Sequence, residues 1–164
     1  MILGLPASVF IHVLISLLGI GSGFVILAGF LGDKRLDGSN ALFPVTTILT
    51  SLSGFLLPAH KILPSHILGV LSVIALALAC VARYSKKMQG GWRKTSVITA
   101  MISFYFNAFV LIAQSFLKVP ALHALAPTGS EPPFAVVQSI VLMAFIVLTV
   151  LAVKKFRSVV AASA

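Results

Sequence analysis

Five apolar runs, each separated from the next by a short polar or proline-bearing stretch, set the layout of the sequence. They cover approximately residues 8–31, 41–57, 65–84, 95–117 and 134–153. Runs of about 20 apolar residues match the hydrocarbon core of a bilayer, so the pattern predicts an all-α integral membrane protein, a bundle of five transmembrane helices. The second run is short and rich in hydroxyls: Thr46, Thr47, Thr50, Ser51 and Ser53. Hydroxyls can bond back to carbonyls of their own helix, which suits a helix buried among others. Four spans plus a re-entrant segment is the alternative. In the fourth run Ser96, Thr99, Ser103, Asn107, Gln114 and Lys118 recur at helical spacing, which gathers a polar stripe on one face. Lys118-Val119-Pro120 ends that helix, and Ser130-Glu131-Pro132-Pro133-Phe134 carries the capping and proline signals of a new one.

Composition agrees with the pattern. Hydrophobic residues make up 59% of the chain and charged residues 9%, against about 45–50% and about 25% in soluble domains. Residues 1–164 are expected to form a single membrane domain. The net charge of +9 would suggest nucleic acid in a soluble protein, but here Lys and Arg fall in short loops and read as topology signals, so no nucleic-acid partner is expected. Arg83, Lys86, Lys87, Arg93 and Lys94 mark one loop as cytoplasmic. With the N-terminus outside and the C-terminus cytoplasmic, five spans put ten of the twelve basic residues on the cytoplasmic side, leaving Lys61 and Lys118 outside. A single cysteine, Cys80, excludes an intrachain disulfide and any CxxC motif.

This topology brings His12, His60, His66 and His123 to the outer side. Gln114 and Gln138 fall at similar depth in the outer halves of spans four and five, with Lys118 nearby and Asn107 near mid-membrane. The expectation is a polar cavity between spans one, four and five, with His12, His66, Asn107, Gln114, Lys118 and Gln138 as ligand-binding candidates. Interhelical hydrogen bonding alone is the competing account of the same amides. The histidines are also the candidate ligands for haem b or copper, the alternative reading being a membrane redox protein. A third reading is a structural subunit of a membrane complex, or a homo-oligomer in the bilayer.

Several classes lack their residues. There is no GxSxG, P-loop or pair of intramembrane carboxylates, and Gly19-Ile20-Gly21-Ser22-Gly23 lies inside an apolar run, where close helix packing is the expected role. Arg35-Leu36-Asp37-Gly38, Leu63-Pro64-Ser65-His66, Leu125-Ala126-Pro127 and Ser130-Glu131-Pro132-Pro133-Phe134 together resemble a family of small uncharacterised bacterial inner-membrane proteins, over nearly the whole chain. The resemblance implies a bacterial cytoplasmic membrane with a periplasmic outer face. It carries no activity, so no residue role follows from it.

Overall fold

Why the chain folds as it does begins with its helices, seen here in a computed structural model that describes residues 6–57 and 64–157. The helices are α1 (Ala7–Leu31), α2 (Asp37–Phe55), α3 (Pro64–Cys80), α4 (Trp92–Lys118), the short α5 (Pro120–His123) and α6 (Pro132–Lys155). A π-helical turn, Val81–Ser85, extends α3. No strand occurs among the described residues.

Among the described residues four helical stretches are long and apolar enough to cross a membrane: Ala7–Leu31, Ser65–Ser85, Trp92–Lys118 and Pro132–Lys155. Large apolar side chains stand on the outside of the bundle, among them Phe24, Ile74, Ile140 and Met143. Water would not tolerate so continuous an oily surface, but lipid does. These four helices suggest a multi-pass membrane protein. The fifth predicted crossing, α2, is not among them. It has 19 residues and contains Pro44, and its hydroxyls dilute its apolar character. Thr46 donates to the Leu42 carbonyl at 2.8 Å and Thr50 to the Thr46 carbonyl at 2.9 Å, the back-bonding expected of such a helix.

α2 nevertheless lies antiparallel along much of α1. A Cβ added at Gly19 would stand 3.5 Å from Thr46 Oγ1, one at Gly29 would stand 3.0 Å from Leu36 Cδ1, and His12 bonds Ser53 at 2.9 Å. From His12 to Gly29 is about 26 Å along a helix, so the two helices share most of one length.

The tightest junction is between α1 and α4. A Cβ at Gly23 would come within 2.5 Å of the Phe104 ring. Phe104 is fully buried and meets Phe24, Phe43 and Phe145 edge-on, at centroid distances of 5.0, 6.1 and 5.0 Å. One ring thus joins α1, α2, α4 and α6. Around and below it pack Ile26, Phe30, Leu76, Val97, Met101 and Phe156.

The core therefore occupies the half of the bundle nearest the basic loops, where charged groups close it off. Arg83, buried at the end of α3, reaches Asp37 Oδ1 at 2.8 Å. Arg35 reaches the same oxygen at 2.9 Å, and its hydrogen bond, seconded by Arg83, holds the Asp37 carboxyl below the usual carboxylate range. Arg93 at the start of α4 donates to the carbonyls of Val153 and Phe156, satisfying orphan acceptors where α6 ends. Asp33, at φ 52°, accepts the Arg157 backbone N–H at 2.6 Å.

At the other end α4 stops at Lys118, Val119 is extended and Pro120 opens α5, as the sequence signal predicts. The start of α6 departs from expectation. No side chain caps it, although prolines occupy its first turn. Glu131 instead faces back, accepting the N–H groups of Thr128 at 2.9 Å and Ser130 at 3.0 Å. These backbone donors, Thr128 foremost, hold its carboxyl down to about 2.

The Gly23–Phe104 junction generates a stability prediction. Gly23→Ala forces a ring held on three sides to move, and overpacking of this kind costs about 1–3 kcal/mol. Gly21, whose Cβ would meet nothing within 4 Å, is the control. Thermal unfolding in detergent should show Gly23→Ala well below wild type and Gly21→Ala at or above it.

Candidate functional site

The polar stripe of α4 divides into two parts with different fates. Its lower part is zipped against α3: Ser96 Oγ donates to the Ala79 carbonyl at 3.5 Å and Ser103 Oγ to the Ser72 carbonyl at 3.0 Å. Thr99 turns back to the Thr95 carbonyl at 2.8 Å. All three are buried. The upper part, Asn107, Gln114 and Lys118, faces a cavity of about 530 Å³ walled by α1, α2, α3 and α4.

Helix geometry explains the division. α1 and α4 meet at Gly23 and Phe104, and again where a Cβ at Gly19 would lie 3.5 Å from Asn107 Nδ2. From that level to Lys118, about 16 Å along α4, the facing residues line the cavity. From α1 come His12 and Ser16, from α2 Thr50, Ser51 and Gly54, and from α3 His66, Gly69 and Ser72. Apolar side chains such as Val13, Leu17, Ile20, Val110 and Leu111 fill the wall between them. At about 530 Å³ the space lies within the roughly 300–1,000 Å³ typical of small-molecule sites.

The hydrogen bonds within the walls decide which polar atoms remain available. Ser53 Oγ donates to the Thr50 carbonyl at 3.1 Å and also meets His12 Nδ1 at 2.9 Å. The Ser53 hydroxyl thus stands between the Thr50 carbonyl and the His12 ring, and the His12 Nε2 is not part of this pair. Asn107 Nδ2 donates to Thr47 Oγ1 at 3.1 Å, leaving Oδ1 for the cavity side. Ser72 lines the cavity and is almost wholly buried, and its hydroxyl has no partner. Gln114 and Lys118 form no hydrogen bond or ion pair with another described residue, and no Asp or Glu lines the space. The His66 ring stacks on Phe55 at 5.3 Å.

Of the candidates, His12, His66, Asn107, Gln114 and Lys118 thus share one cavity, and Gln138 stands apart. Gln138 is buried, its Nε2 donates to the Phe109 carbonyl at 3.1 Å, and its Oε1 is unpartnered. It neither meets Gln114 nor lines the cavity. The walls also differ from the expected ones: α2 and α3 take the place of α6, the last apolar run. The sequence reading missed Ser16, Thr50, Ser51 and Ser72. The density of hydroxyls on α2 was the available signal, and it pointed to burial without saying against what.

Of the four histidines, His12 and His66 line the same cavity. His123 is exposed at the end of α5 and outside the cavity lining, and His60 lies outside the described residues. No group of three or more His, Cys, Asp or Glu among the described residues is placed to hold a metal ion. Comparison with known proteins finds no matching family model, no matching curated protein and no matching solved structure. The site therefore has to be read from its own geometry.

That geometry is checkable by labelling. In a Cys80→Ala background, Gln114→Cys should react readily with a water-soluble maleimide because it borders the cavity, whereas Gln138→Cys should react at least tenfold more slowly in the folded protein. Equal rates would mean the two amides share one environment.

Proposed function

We propose that this chain is a five-span protein of the bacterial cytoplasmic membrane that binds a small molecule in the cavity, in a non-enzymatic binding or transport-accessory role. The supporting observation is one space of about 530 Å³ that combines apolar walls with the unengaged side chains of Gln114 and Lys118 and the Oδ1 of Asn107. Interhelical hydrogen bonding accounts for Ser103 and for the Nδ2 of Asn107, but not for Gln114 and Lys118. The basic residues orient the molecule: those of the loops at Lys34–Arg35, Arg83–Lys94 and Lys154–Arg157 share one end, and by the positive-inside rule that end is cytoplasmic. The cavity then opens in the periplasmic half, near the N-terminus. α2 makes the fifth crossing: Thr46, Thr50 and Ser53 are bonded within their own helix, one face packs on α1 and α3, and Leu42, Val45, Leu49 and Leu52 give the other an apolar outer surface.

Topology is tested with reporters at both termini. Five spans place the N-terminus in the periplasm and the C-terminus in the cytoplasm, so a C-terminal alkaline phosphatase fusion should be inactive and a C-terminal green-fluorescent fusion bright. Termini on the same side would leave α2 as a re-entrant segment.

Binding is tested separately by native mass spectrometry of the full chain released gently from membranes. A retained adduct is expected in wild type and in Gln138→Leu, and should be lost from Asn107→Leu/Gln114→Leu. The helix bond from Asn107 to Thr47 contributes only about 0.6 kcal/mol on average for such pairs, so the double variant should fold. Identical adducts in all three proteins would leave the cavity without a binding role.

A further inference from the structure

The chemistry of the cavity's rim and its size narrow the occupant. Lys118 is exposed at the last turn of α4, and Gln114 stands one turn below it on the same face. No carboxylate balances that ammonium. Asp33 and Asp37 sit at the opposite end of the bundle, and the Glu131 carboxylate is taken up by the Thr128 and Ser130 backbone. Below the rim the walls are largely apolar, with Val13, Leu17 and Leu111 among them. Size follows by scaling: a cavity of about 150 Å³ holds a benzene, so about 530 Å³ holds on the order of twenty non-hydrogen atoms. That is the size of a single long alkyl chain with a small head; a two-chain phospholipid does not fit.

Resting on the binding role given above, we propose that the cavity takes a single-chain amphiphile with an anionic head, its acid group at Lys118 and Gln114 and its chain running down toward Asn107. The arrangement keeps the charged head at the water boundary, where an ammonium and a carboxylate pair without deep desolvation, and lays the chain along Val13, Leu17, Ile20, Val110 and Leu111. A cationic head would meet Lys118 with no acidic residue to offset it.

The test uses the full chain in phosphatidylcholine nanodiscs, titrated with stearate, stearyl alcohol or octadecyltrimethylammonium and followed by its thermal-unfolding midpoint. Stearate should raise the midpoint at the lowest concentration, the alcohol at higher concentration, and the ammonium not at all. Lys118→Gln should weaken stearate about fivefold, the scale of an exposed ion pair, and leave the alcohol unchanged. Ser16→Phe, which fills the cavity, should abolish every shift; Val13→Phe serves if that variant does not fold. Equal responses to the three probes, or stearate unaffected by Lys118→Gln, would overturn the anionic head while leaving cavity binding in place. A stearate shift that survives cavity filling, displacement of stearate by phosphatidylglycerol, or no shift with any probe would also overturn the proposal. The adduct carried by wild type and lost from Asn107→Leu/Gln114→Leu decides the binding role independently.

Discussion

The contact between the Phe104 ring and the bare backbone at Gly23 governs how close the helices of this bundle come. Without a hydrophobic drive between helices in lipid, association relies on close packing, and the missing side chain at Gly23 lets the Phe104 ring lie directly on the α1 backbone. Because the same ring also touches Phe24, Phe43 and Phe145, it fixes three neighbours around α4 at one level. On the basic side of that level side chains fill the interior apart from a void of about 20 Å³ beside Phe43 and Arg83. Everything on the other side has to be closed by something else, or left open.

The polar chemistry is divided along the same line. At the basic end charged side chains, from the buried Arg83 to the exposed Asp33, join elements that sequence keeps far apart: Arg83 to Asp37, Arg93 to the end of α6, and Asp33 to the Arg157 backbone N–H. Each tie uses an orphan backbone group or an ion pair at a helix terminus, where unsatisfied carbonyls and amides concentrate. The buried Arg83 Nε has no partner, so this end is tightly joined without being fully satisfied. At the opposite end the polar groups on α4 are spread along one cavity wall, and short-range contacts such as His12–Ser53 and the Phe55–His66 stack hold the remaining helices in place.

Much of the fold was readable because hydrophobic runs, prolines and loop charges are local signals. α1, α3, α4 and α6 follow from runs of apolar residues, and the break at Val119-Pro120 from proline chemistry. The status of α2 was harder to read, since Thr46 and Thr50 satisfy themselves along their own helix and give no sign of what lies beside them. The site was legible on α4, where Asn107, Gln114 and Lys118 share a face by spacing alone. It was not legible for Gln138. Depth along a helix can be counted from sequence, but rotation about its axis cannot, and α6 turns Gln138 toward the Phe109 carbonyl. The same limit hid the walls contributed by α2 and α3, because which helices adjoin is decided by long-range fits such as Gly54 against His12.

Above Phe104 the two faces of α4 differ: one lines the cavity, and the other is backed by α6, with Phe109 and Phe116 against Phe134 and the Gln138 amide on the Phe109 carbonyl. From Phe104 to Lys118 is about 21 Å along the helix. A tilt of about five degrees over that length would carry the tip by about 2 Å, roughly the difference between a hydrogen bond and a separated pair. α6 thus works as a splint for the cavity wall: the distance from Lys118 to the facing helices depends on aromatic contacts on the side of α4 that the cavity does not touch.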